Sequence, residues 1–209
     1  MAKYCSRECQ RANWKIHKTQ CKNNARLENA LRENENSLLG RLHSLLLPDG
    51  ISLYELDKRL EDWVRFHQRT LMVASMHAIR LPEDFDRIHA HVLCLRLRPR
   101  PSAEHGGMPG KYFEVVDGFP LTVEEGAERD EPWKLSVQNL KKMQKQAVKL
   151  RAGRTGATML ECEPLAVQTV PYGSVERVRG RVQEDWKDIL IQDVRAGRSV
   201  TSLRLFMPA

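Results

Sequence analysis

Apolar residues recur three and four apart along the first third of the chain and then alternate in twos, and these two periods place the elements. From Ser6 to Leu47 there is no proline and one glycine, Gly40, so a continuous helical run is expected. Within it Leu27, Leu31, Leu38, Leu42 and Leu45 stack on one face, predicting an amphipathic packing helix that ends at Pro48-Asp49-Gly50. Asn34 and Glu35 interrupt the stripe, which argues against a coiled-coil seam. A second helix begins near Ser52, with Glu55 three residues on as in a capping box. Leu53, Leu56, Leu60, Trp63, His67, Leu71, Ala74 and Ala78 carry it to Leu81-Pro82, with Trp63 and Leu71 on the buried side. It should be the centre of the core.

His91 to Arg98 alternates, Leu93, Leu95 and Leu97 facing one way and Arg96 and Arg98 the other, as a half-buried strand does. Pro99 to Lys111 reads as a loop, Tyr112 to Val116 and Leu121 to Val123 as strands joined through Asp117-Gly118, and Glu124 to Glu131 as an acidic turn. Trp133 to Leu150 is a third helix, Thr158 to Cys162 and Leu165 to Val170 a last pair of strands, and Glu184 to Arg195 a final helix. Helices come first, then two groups of strands divided by a helix. That order predicts an α+β fold with long N-terminal helices and a small, mostly antiparallel sheet packed against helices.

Composition changes this picture little. At 209 residues, with 41% apolar and 29% charged side chains, the chain can bury a real core. No run approaches the roughly 20 apolar residues of a membrane span, and no apolar stretch follows the first basic residue, so neither membrane nor secretion is expected. Five cysteines, three of them before residue 22, suit reduced thiols or metal ligands in a cytoplasmic or nuclear setting. The net charge of +7 is uneven: Lys3, Arg7, Arg11, Lys15, Lys18, Lys22 and Arg26 face the single acid Glu8, so residues 1–26 hold +6 of it. On one helix, Arg7, Arg11, Lys15, Lys18, Lys22 and Arg26 would fall within roughly a third of a turn, opposite Cys5, Cys9, Ala12 and Ile16. The favoured reading is a solvated face, with nucleic acid not the expected partner.

The chemistry lies in Cys5-Ser-Arg-Glu-Cys9 and His17-Lys-Thr-Gln-Cys21. Thiolate and imidazole pairs at this spacing are donors that zinc takes tetrahedrally. If residues 6–20 form one straight helix, Cys9 and His17 stand about 12 Å apart along its axis. Donors to one ion lie only about 4 Å apart, so one ion cannot collect all four without a bend.

These residues, with Tyr4, Gln10, Trp14 and Lys18, resemble the MYND-type zinc finger, over about a tenth of the chain. In that family two zinc ions are held, each by a pair of ligands from either half of the finger. The resemblance implies that Cys5 and Cys9 complete one site and His17 and Cys21 the other, and that the module binds a protein or peptide. Their counterparts, two C-x2-C pairs, are expected upstream of Met1, the chain being read as a shortened version of a longer protein. The expected organisation is a partial finger at 1–21, a connecting amphipathic helix at 22–50 and an α+β domain at 51–209.

Other signals are weaker. Arg151-Ala-Gly-Arg-Thr-Gly156 leaves a helix and enters a strand, the reverse of a phosphate loop. His89 and His91 lack a third ligand, Glu161 and Glu163 fit an exposed strand face, and Cys94 and Cys162 fit buried thiols. The methyltransferase signature found in some MYND proteins is missing, and no catalytic constellation is legible. Two other classes stay open: an enzyme or small-molecule-binding body with the finger as accessory, and nucleic-acid binding through the basic helix. A deep pocket lined by convergent polar groups would favour the first.

Overall fold

The computed structural model describes residues 28–149, 153–165, 167–175 and 177–208. The chain divides into two compact units, Met1–Leu56 and Asp57–Ala209.

In the first unit the expected continuous helix is broken. Residues 28–35 form α1 and Leu38–Leu46 form α2. Ser37 separates them because its hydroxyl accepts the Gly40 N–H at 2.9 Å and donates to the Asn34 carbonyl at 2.7 Å, capping α2. Gly40 is required here, since a Cβ on it would lie 1.9 Å from the Asn34 carbonyl oxygen. The leucine stripe is therefore not a buried face: Leu38, Leu42 and Leu45 are exposed, together with Leu39 and Leu46. Arg32 donates to the Tyr54 hydroxyl at 2.7 Å and lies over its ring.

Helix α3, Leu53–Ala78, matches its expected span. The Ser52 hydroxyl accepts the Glu55 N–H at 3.1 Å, the anticipated cap. Trp63, His67, Leu71, Ala74 and Ala78 are all buried, as the period of 3.6 requires.

The second unit is built on a four-stranded sheet in the order β2-β1-β3-β4. Its strands are β1 (His91–Pro99), β2 (Phe113–Thr122), β3 (Arg154–Glu161) and β4 (Gln168–Val175). β1 pairs antiparallel with β2, β3 antiparallel with β4, and the central β1–β3 pair is parallel. The chain is thus α+β with a mixed sheet. A parallel pair needs a crossover, and α6 (Val123–Glu128) with α7 (Trp133–Lys149) supplies it.

Both faces of the sheet are covered. Val92, Cys94, Leu121, Ala157 and Met159 pack with Trp133, Val137 and Leu140 of α7. On the other face Tyr172 and Val175 of β4 meet Met76 and Ile79, where α3 ends, and Ser75 bonds Thr158 of β3 at 2.6 Å. This explains why β1 buries Val92 and Cys94 as well as its leucines.

Several local expectations are corrected. β2 runs unbroken through Asp117-Gly118, with a bulge at Val116 where its register on β1 shifts. The acidic turn is α6, set by a reciprocal capping box between Thr122 and Glu125. Within the expected loop, α5 (Ser102–His105) and a 3-10 turn at Pro109–Lys111 form. Helix α8, Trp186–Ala196, lies against β2, its Trp186 ring close to Gly118. Two short strands, β5 (Val178–Arg179) and β6 (Met207–Pro208), pair near the end of the chain.

Candidate functional site

The proposed zinc donors Cys5, Cys9, His17 and Cys21 lie outside the described residues, as do the basic face from Arg7 to Arg26 and Arg151 of the glycine-containing segment. Among the described residues no group of three or more His, Cys, Asp or Glu side chains converges to hold a metal. Cys94 and Cys162 are buried and free. Burial, with Glu161 nearby, pushes the Cys94 thiol up to about 12, and burial alone does the same for Cys162. Both stay protonated at neutral pH, which leaves neither a ready nucleophile. His89 and His91 sit where α4 (Arg87–Ala90) passes into β1. Burial, with the Arg154 charge, holds the His89 ring below its usual range.

Glu161 and Glu163 do not form a carboxylate pair. Glu161 closes β3 and accepts from Trp133 Nε1 at 2.7 Å, Arg129 at 2.9 Å and Arg96 at 3.1 Å. The Arg129 guanidinium also stacks 4.6 Å from the centre of the Trp133 ring. Three of the roughly four lone pairs of this carboxylate are thus taken by donors, two of them cationic. Glu163 is exposed beyond the end of the strand.

A cavity of about 290 Å³ opens between α3 and the β3–β4 pair, lined by Gln68, Arg69, Leu71, Met72, Thr158, Val170, Pro171, Tyr172 and Gly173. It sits at the lower limit of ligand-pocket volumes. Its Thr158 hydroxyl is engaged by Ser75. Tyr172 is buried over Gly156, and burial raises its pKa against a smaller opposing effect of the Ser75 hydroxyl. Among the described residues no acid or imidazole lines this space. Sequence reasoning passed over Arg69 and Tyr172. The signal was Pro171, since a proline inside a strand marks a sheet edge.

Two buried histidines on α3 instead serve the fold. His67 Nε2–H donates to the Gly110 carbonyl at 2.9 Å. His77 Nε2–H donates to the Arg204 carbonyl at 2.9 Å, while its Nδ1 accepts the Gln183 N–H at 3.1 Å. Burial disfavours the charged ring at both positions and lowers both pKa values, against smaller opposing effects of their carbonyl partners. The unfolded chain then binds more protons than the folded one just below the free-histidine value of about 6.5. Stability is therefore full above that value and falls as pH drops through it. We expect the urea midpoint to decline from pH 7.5 to 5.5, and His77→Gln to lower the pH 7.5 midpoint while flattening the slope. A wild-type midpoint level across this range would mean that neither ring is held neutral.

No described helix is long and apolar enough to cross a membrane. No curated protein and no solved structure matches the chain. Residues 1–21 match the family model described as the MYND finger, and the chain therefore carries a partial MYND finger at its N-terminus.

Proposed function

We propose that residues 1–21 form the zinc-binding part of a protein-interaction module, with Cys5 and Cys9 serving one zinc and His17 and Cys21 a second. A MYND finger implies zinc. The donor set fits it, since three thiols and one imidazole are ligands zinc prefers over the carboxylate and carbonyl set of harder ions. The observation that carries the reading is the match over 1–21, centred on C-x3-C and H-x3-C pairs. Residues 22–50 then connect this module to an α+β domain at 51–209. Its partner is a protein or peptide, engaged through the finger surface.

Elemental analysis tests the ligand set. With the four donors split between two half-sites, the purified chain is expected to retain less than one tightly held zinc. A version extended upstream by two C-x2-C pairs should hold two, and Cys9→Ser or Cys21→Ser in that version should remove about one each, as loss of one ligand from a closed tetrahedral site does. Two retained zinc ions that survive both substitutions would remove these residues from the ligand set.

A further inference from the structure

We propose that the outer edge of β4, with the adjoining surface of α3, takes an extended acidic peptide as an added strand. β4 is the last strand in the order β2-β1-β3-β4 and pairs on one side alone, with β3. Among the described residues, none of its outward backbone groups has a hydrogen-bond partner. Pro171 fixes which groups those are. A proline has no N–H to give to a ladder, so its nitrogen belongs on the outer side of an edge strand. Residues alternate, so Thr169 and Pro171 turn their outer groups outward, two carbonyl acceptors and one N–H donor, up to the register shift that follows Tyr172. That is a template for strand addition.

The surface beside this edge supplies a side-chain subsite. Leu71 and Met72 of α3 and Val170, Pro171 and Tyr172 of β4 frame the cavity of about 290 Å³. That suits one or two apolar side chains better than a cofactor, for which pockets run larger. A strand laid along β4 points every second residue into that space.

Charge selects among occupants. Arg69 lines the cavity, and Arg177, Arg179 and Arg181 follow β4 in sequence, Arg179 within β5. All four are exposed, and none enters an ion pair among the described residues. Among the described residues no acidic residue lines the cavity. A second copy paired edge to edge would bring like charges together and face one proline-interrupted ladder with another, both unfavourable. Nucleic acid would want exposed aromatic platforms, and the one aromatic ring lining the cavity, Tyr172, is buried. A peptide alternating apolar and acidic residues satisfies the backbone edge, the cavity and the arginines together.

Selection of random eight-residue peptides displayed on phage, against the full chain, tests this. Eight matches the length of β4. Enriched sequences should alternate apolar residues with Asp or Glu. The best of them, synthesised with a fluorophore and titrated by anisotropy, should weaken by about tenfold when alternate amides on one edge are N-methylated, the loss of one or two backbone hydrogen bonds. Arg69→Glu should weaken it about threefold, with the melting temperature held within about 2 °C as expected for an exposed position. No enrichment, enrichment without acidic residues, or indifference to N-methylation would overturn the proposal. So would displacement of the peptide by a single-stranded RNA 12-mer, or its exclusion by self-association of the chain in sedimentation.

Discussion

Replacing Trp63 with alanine is expected to destabilise the second unit by about 4 kcal/mol, among the largest effects of any single substitution in it. Trp63 is fully buried, its ring 4.9 Å from His67 and 6.1 Å edge-on to Phe113 of β2. Truncation removes the hydrophobic transfer energy of an indole and leaves a cavity that α3 and the sheet cannot close, because both are held by their own ladders. For a unit of this size the loss corresponds to a fall in melting temperature of about 8–16 °C. The indole nitrogen makes no hydrogen bond among the described residues. Trp63→Phe therefore removes a buried donor along with some volume, and should cost well under half as much as alanine. Thermal unfolding of the two variants decides it, and equal losses would show that volume matters less here than the donor.

The elements that were legible in the sequence are those whose own side chains dictate them. α3 carries an apolar residue or, at His67, an imidazole at every third or fourth position, and α7 carries a similar stripe from Trp133, so no tertiary information was needed. β1 announced itself by Leu93, Leu95 and Leu97 against Arg96 and Arg98. Where reading failed, one local contact outweighed the pattern. Ser37 caps α2 and breaks a run whose composition favoured continuous helix. Gly118 looks like a turn residue, yet it continues β2 because a Cβ there would come 2.8 Å from Leu95 Cδ2, and glycine lets the strand pass close over its neighbour. Thr122 and Glu125 are three apart, the spacing of a capping box, but the surrounding acids read as a turn.

The candidate sites divide in the same way. Cys5, Cys9, His17 and Cys21 are legible because both pairs and their spacing lie within a short stretch of sequence. The β4 edge is not, because it is made of Arg69 and Met72 from one helix and Val170 to Gly173 from a strand far along the chain. The last strand was expected at Leu165 to Val170, whereas β4 runs from Gln168 through Pro171 and Gly173 to Val175. The parallel pairing of β1 with β3, which fixes β4 at the rim, follows from the crossover through α7 rather than from either strand's residues.

The second large effect concerns the C-terminal segment. Asp193 of α8 is fully buried, and its carboxylate accepts the Ser202 N–H at 2.6 Å, the Ser202 hydroxyl at 2.7 Å, Arg198 at 3.0 Å and the Thr201 hydroxyl at 3.1 Å. Burial pushes this carboxyl up, but the four donors outweigh it and hold it below the usual range. The turn thus fastened sets Leu203 in the core, the Arg204 carbonyl on His77, and Phe206 against the His77 ring at 4.3 Å. Asp193→Ala removes four hydrogen bonds to a charged acceptor and releases that chain, so a loss of about 3 kcal/mol is expected. The pH dependence separates this from the histidine effect. A carboxylate with a lowered folded pKa contributes fully above its unfolded value of about 3.9 and loses that contribution only as pH falls through the folded value. In a His77→Gln background, which removes the ring this turn covers, the gap on adding Asp193→Ala should stay near constant from pH 8 to 5 and close as pH falls below about 3.9, whereas the histidine contribution of the wild type begins to fall near 6.5. Urea midpoints at pH 7.5, 5.5 and 3.5 in the His77→Gln background measure it, and a gap that narrows between the first two would reassign the clamp to a group other than Asp193.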